Sequence, residues 1–158
     1  MFGVDSNDDI YVLDWWFGRE SADVWIESLI DKWARWKPQT AFGEGGVIRR
    51  SVEPFLDKRM RERRVYANIV WVSAPRAEHS ADKQGFDDRS KRAKAIKGRA
   101  LQARAAMGKV VFPASGDWVD RVIQNLVGFP SVRYDDAFDV CAQLCMGLDE
   151  LQGAQPVA

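Results

Sequence analysis

Two groups of carboxylates and one run of basic side chains are the residues whose types and spacing could do chemistry. Glu44 stands directly ahead of Gly45 and Gly46 and just after a short apolar stretch. If that stretch is a strand, Glu44 lies at its carboxyl end, where open α/β sheets gather their ligands. The glycines let a backbone or a ligand approach closely, and a carboxylate there suits a hard divalent cation, which prefers oxygen donors. The plainer alternative is a loop glutamate. Asp135, Asp136 and Asp139 form the second group. Asp136 and Asp139 are three apart and would share one face of a helix. Aspartates also collect at helix N-termini for structural reasons, because they cap amides and complement the dipole. Carboxylates able to converge from both groups would suit hard divalent cations, which prefer oxygen ligands.

The basic run extends from Arg89 to Lys109 and includes Lys91, Arg92, Lys94, Lys97, Arg99 and Arg104, with no acidic residue among them. In a chain of zero formal net charge, such a stripe is a candidate phosphate-binding surface; the alternative is a solvated helix face. A second basic region, Arg49 to Arg64, is diluted by Glu53, Asp57 and Glu62.

Other chemistries find little in the sequence. There is no GxxxxGK[ST] loop and no GxGxxG, and GEGG has neither spacing. His79 is the only histidine and lies in a polar stretch, which leaves little for a Ser-His-Asp or Cys-His mechanism. Cys141 and Cys145, four apart, read as helical core residues rather than zinc ligands. No signal peptide is visible and no apolar run is long enough to span a bilayer, so the expected location is the cytoplasm, without a membrane partner.

The elements that must position these residues follow from patterning. The 158 residues fit one domain with a real core, to which seven tryptophans can contribute much buried area. Met1–Val4 reads as a strand stub, SNDD as a turn and Ile10–Trp16 as a strand. Ser21 could cap a helix to about Trp36, with Trp25, Ile26, Leu29, Ile30 and Trp33 at helical spacing, stopped by Pro38. Gln39–Gly43 is a short strand. Val47–Arg63 is a helix with a potential break at Pro54, and Val65–Ser73 is a strong strand. A polar loop at 75–88 precedes a basic helix, Arg89–Met107. Lys109–Phe112 is a short strand, Asp117–Val127 a helix, Gly128–Tyr134 a loop, and the last helix opens at Asp135 or Asp136 and runs to about Leu148. The expected domain covers 1–149, with a loose tail over 150–158. The order predicts an α/β fold, a mixed sheet with helices on both faces.

In order along nearly the whole chain, these segments resemble the C-terminal nuclease domain of the tailed-phage terminase large subunit. IYVLDWWFGRESADVWIESLIDKWARWKP is similar to the second half of that family's opening hairpin and its first helix. AFGEGGVI is similar to its strand ending in an acid before glycines. DDRSKRAKAIKGRALQARAAMGKVVFP resembles its K-x-x-R-A helix leading to G-x-V-x-F-P, with Arg89 at the lysine position and Arg92 and Ala93 completing it. DWVDRVIQNLVGFPSVRYDDAFD resembles its closing pattern, ending in D-D-x-x-D.

The resemblance implies an RNase H-like fold and a two-metal endonuclease, a hydrolase that cuts concatemeric double-stranded DNA during genome packaging. Glu44 and Asp136 would hold magnesium or manganese, with Asp135 as the alternative acid and Asp139 as a helper. Arg89, Arg92, Lys94, Lys97 and Arg99 would grip the DNA backbone. In a full-length setting the partners would be the terminase small subunit and the portal, in the host bacterial cytoplasm. The family's first strand carries a further aspartate upstream of the hairpin. The present chain aligns from the end of the second strand, so the expected fold is truncated at its N-terminus and its activity is in question. An inactive prophage remnant, or a non-catalytic fragment binding DNA or a packaging protein, is the alternative. A resolvase or transposase fits less well, because the Arg89–Pro113 pattern favours the terminase resemblance.

Overall fold

The computed structural model describes residues 1–72, 94–132 and 134–153. Its strands are β1 (Phe2–Val4), β2 (Ile10–Val12), β3 (Ala41–Glu44), β4 (Ile69–Val72) and β5 (Val110–Val111). Its helices are α1 (Ala22–Trp36), α2 (Val47–Arg63), α3 (Arg99–Ala106), α4 (Val119–Val127) and α5 (Asp136–Gly153). Residues 94–97 form a helical turn ahead of α3. The chain is mixed α/β and divides into two compact units. One contains Met1, Asp14, α1, β3, α2 and β4; the other contains β1, β2, α3, β5, α4 and α5. Among the described residues, no helix is long and apolar enough to cross a membrane.

In the first unit, β3 and β4 pair in parallel, from Ala41 opposite Ile69 to Glu44 opposite Val72. The helical spacing foreseen for α1 buries Ile26, Ile30 and Trp33. Ile26 and Ile30 meet Leu56 of α2 in a small core, packed around by Trp25, Leu29, Val52, Met60, Val65 and Ile69. Lys37 adopts a left-handed conformation (φ 47°) and donates its backbone N–H to the Trp33 carbonyl, which closes α1 ahead of Pro38. α2 runs through Pro54, so the break considered there is not taken. The strand expected from Val65 begins only at Ile69. Val65 donates its N–H to the Met60 carbonyl and Ala67 donates to Met60 Sδ, so this stretch closes α2 instead of joining a ladder.

In the second unit, β1 and β2 form the antiparallel hairpin read from the sequence, with Phe2 opposite Val12 and Val4 opposite Ile10. Asp5 shapes the turn: its Oδ1 accepts the backbone N–H groups of Asn7 at 2.9 Å and Asp9 at 3.0 Å. β2 alternates as expected, Ile10 and Val12 buried and Tyr11 exposed. It ends well short of Trp16 because its partners run out: β1 starts opposite Val12, and β5, paired in parallel on the other side, supplies two residues. α5 buries Ala137, Phe138, Cys141, Ala142 and Cys145, and contacts both α3 and α4. The cysteines are free and buried, as the core reading requires. Burial pushes the Cys141 thiol up to about 12 and that of Cys145 to about 11.

Two expectations change. The single mixed sheet is replaced by a three-stranded sheet, β1-β2-β5, and a separate pair, β3-β4, with no ladder joining them among the described residues. The last helix continues through Gly153, beyond the expected end near Leu148, because nothing before Gly153 breaks its pattern.

Candidate functional site

Glu44 is the final residue of β3 and is exposed at the carboxyl end of the parallel pair. The glycines around it have separable roles. Gly43 lies under the Trp71 ring, where a Cβ would come within 2.7 Å of two ring carbons. Gly45 donates its N–H to the Val72 carbonyl at 3.0 Å, extending the pairing one step past Glu44. Gly46 has φ 83°, a conformation that favours glycine, and turns the chain into α2. Strand, carboxylate, left-handed turn and helix therefore follow within a few residues. The Arg49 guanidinium lies 5.6 Å from the centroid of the Trp71 ring and pairs with Glu53 at 3.0 Å.

The aspartates sit in the second unit. Asn125 of α4 fixes the start of α5: its Oδ1 accepts the Ala137 N–H at 3.1 Å and its amide donates to the Tyr134 carbonyl. Asp139 donates its backbone N–H to the Asp135 carbonyl, and their side chains converge. Lys94 Nζ lies 2.8 Å from Asp135 Oδ1 and 2.7 Å from Asp139 Oδ2. Burial alone would lower the Lys94 pKa, but its bonds to the two carboxylates outweigh this and leave it raised. Asp139 Oδ1 is buried and has no hydrogen-bond partner among the described residues. Asp136 is exposed. The pair that meets is thus Asp135 with Asp139, one turn apart, and not Asp136 with Asp139.

Between Asp135 and Asp139 the counter-charge is the Lys94 ammonium. Glu44 and Asp136 are exposed. They belong to different units. Among the described residues, no three His, Cys, Asp or Glu side chains are grouped to hold a metal ion. A cavity of about 540 Å³ between α1 and α2 is lined by Ile26, Phe55, Lys58 and Arg59 among others, and by none of the candidate acids.

Within the described part of the basic run, the side chains have different surroundings. Arg89 and Arg92 lie outside the described residues. Lys94 is held by the aspartates, Lys97 is half-buried and Arg99 is exposed. Arg104 is 6% exposed and bonds Asp8 through Nε at 3.2 Å and Asp149 at 2.8 Å. Lys109 donates to the Asn7 carbonyl and lies 3.7 Å from Asp9. Arg104 and Lys109 thus hold the β1–β2 turn. Sequence reasoning overlooked Asn125, which carries no signal beyond being an amide in an amphipathic helix, and it missed that Lys94 answers the aspartates.

The chain matches no family model, and no curated protein or solved structure matches it.

Proposed function

We propose that this chain is a nuclease domain of the terminase large-subunit type, RNase H-like in ancestry, that acts on double-stranded DNA during phage genome packaging. The observation that carries the reading is Glu44, an exposed carboxylate closing a parallel strand immediately before a glycine turn and a helix. The order of elements supports it: hairpin, helix, strand ending in an acid, helix, strand, basic segment, short parallel strand, helix, and a last helix that begins at Asp136. In this reading Glu44 and Asp136 would be ligands to magnesium or manganese, which would supply Lewis acidity for phosphodiester hydrolysis. Arg89, Arg92, Lys97 and Arg99 bear on the DNA backbone, and Lys94 keeps Asp135 and Asp139 paired. In a longer protein the partners are the terminase small subunit and the portal, in the host cytoplasm.

A second reading, a non-catalytic DNA-binding fragment, is favoured by the Lys94 ammonium between the acids of the last helix. Supercoiled plasmid incubated with the chain and manganese separates the two. Nicking lost in both Glu44→Ala and Asp136→Ala supports the nuclease. Duplex binding without cutting supports the second reading, and neither binding nor cutting refutes both.

A further inference from the structure

The outward side of α2 has a feature that its composition conceals. Between Val47 and Arg64 the chain carries seven basic residues and only three acids, Glu53, Asp57 and Glu62. Two of those acids are engaged within the unit. Glu53 pairs with Arg49, and Glu62 pairs with Arg59 at 2.8 Å and with Lys58 at 3.9 Å. Arg59 and Arg63 also reach across to α1, bonding Glu27, and Arg63 bonds Asp31 at 2.8 Å. That leaves Arg50, Arg61 and Arg64 exposed and without an ion pair among the described residues. Arg50 and Arg61 are eleven residues apart, so at about 100° per residue they differ by only about 20° around the axis. Arg64 follows at the C-terminal end of the helix. The acids nearest that face are Asp57, which is half-buried, and Glu53, which Arg49 already pairs.

We propose that this face of α2 is a contact surface for the phosphate backbone of double-stranded nucleic acid, with Arg50, Arg61 and Arg64 as its phosphate ligands. Geometry and charge favour a duplex. At about 1.5 Å per residue, Arg50 and Arg61 stand about 17 Å apart along the helix. With their flexible stems they reach phosphates on the two sides of a groove about 12 Å wide. Guanidinium forks match phosphate oxygens in a bidentate way. The exposed side chains between them in sequence, Ser51, Pro54, Phe55 and Lys58, add no negative charge. The inference rests on the duplex-DNA part of the reading above and adds a surface that the Arg89–Lys109 run does not contain.

The test is fluorescence anisotropy with the full chain and a 20-base-pair duplex across a salt series. Its arms are wild type, the Arg50→Ala/Arg61→Ala/Arg64→Ala triple variant, the corresponding triple Lys variant, and Asp57→Asn. The Ala variant should bind about tenfold or more weakly, and its plot of log affinity against log salt should flatten by about 0.9 per lost phosphate contact. The Lys variant should recover most of the affinity, and Asp57→Asn should bind more tightly than wild type. Because all three arginines are exposed, an unchanged thermal melt is expected and confirms that the Ala variant is folded. Wild-type duplex binding that the Ala variant retains in full overturns this surface while leaving the DNA reading intact. Absence of wild-type duplex binding, including the case of binding to phosphatidylserine vesicles alone, overturns both.

Discussion

The two units use the same ion pairs for different purposes. In the first, Glu27 and Asp31 of α1 meet Arg59 and Arg63 of α2 at the rim of the Ile26–Ile30–Leu56 core, and every member of the network is at least one-third exposed. In the second, Arg104 is almost wholly buried and ties the β1–β2 turn, through Asp8, to α5, through Asp149. Lys94 ties Asp135 to Asp139 at the start of the same helix. Exposed pairs gain little, because water and salt screen them and long side chains lose freedom. A buried charge must keep its partners. The comparison teaches that the first unit's helix pair depends mainly on apolar contact, whereas the second unit adds to its apolar core one buried charge, Arg104, that needs its partners.

Arg104→Ala should break this comparison most sharply. It removes a buried tie between two elements, the β1–β2 turn and α5. A loss of about 2–3 kcal/mol is expected, below the roughly 3–5 kcal/mol of a fully buried pair because Asp8 and Asp149 can regain water. Urea unfolding measures it, and a change under about 1 kcal/mol would mean that the burial of Arg104 is incidental.

Gly98→Ala tests apolar packing in the same unit. Phe138 is stacked on Phe129, with ring centroids 3.7 Å apart, and a Cβ at Gly98 would fall 2.1 Å from Phe138 Cζ. Relieving that clash would disturb the Phe138–Phe129 stack, so overpacking should cost about 1–3 kcal/mol. A neutral melt would show that the ring repacks freely.

Lys94→Met should cost less, about 1 kcal/mol, at the upper end for a partly exposed pair. The pH dependence gives the sign. The folded pKa of Lys94 is raised, so its ionic contribution is fully present below the unfolded value of about 10.4 and disappears as pH rises through the folded value. The stability gap between wild type and Lys94→Met should therefore hold from neutral pH to about 10 and narrow above it. A gap that is flat through that alkaline range would mean that Lys94 acts by packing its stem.

The smallest effect should come from Glu27→Gln. The Arg59 guanidinium, then that of Arg63, holds the Glu27 carboxyl below its ordinary range. Its contribution is therefore present above the unfolded value of about 4.3 and is lost as pH falls through the lower folded value. The change in melting temperature should be slight at neutral pH and should shrink further in 1 M salt. A large, salt-insensitive drop would make the first unit resemble the second.

Local patterning settled much of this molecule in advance. The alternation of Ile10, Tyr11 and Val12, the spacing of Ile26, Ile30 and Trp33 and the buried side of α5 each arise from a period set by one element, so they were legible in the sequence. So was Glu44 at a strand end, because strand, acid and glycine turn are contiguous. The remaining features join residues far apart in the chain. Lys94 meets Asp135 and Asp139 across about forty residues, and Arg104 meets Asp8 across ninety-six. Which of the three aspartates share a counter-charge, and which arginines of α2 remain unpaired, depends on which charges from other elements arrive beside them. Sequence spacing determines the face on which a charge stands, and only the tertiary structure decides whether another charge meets it there, because an ion pair requires distance and burial as well as opposite sign.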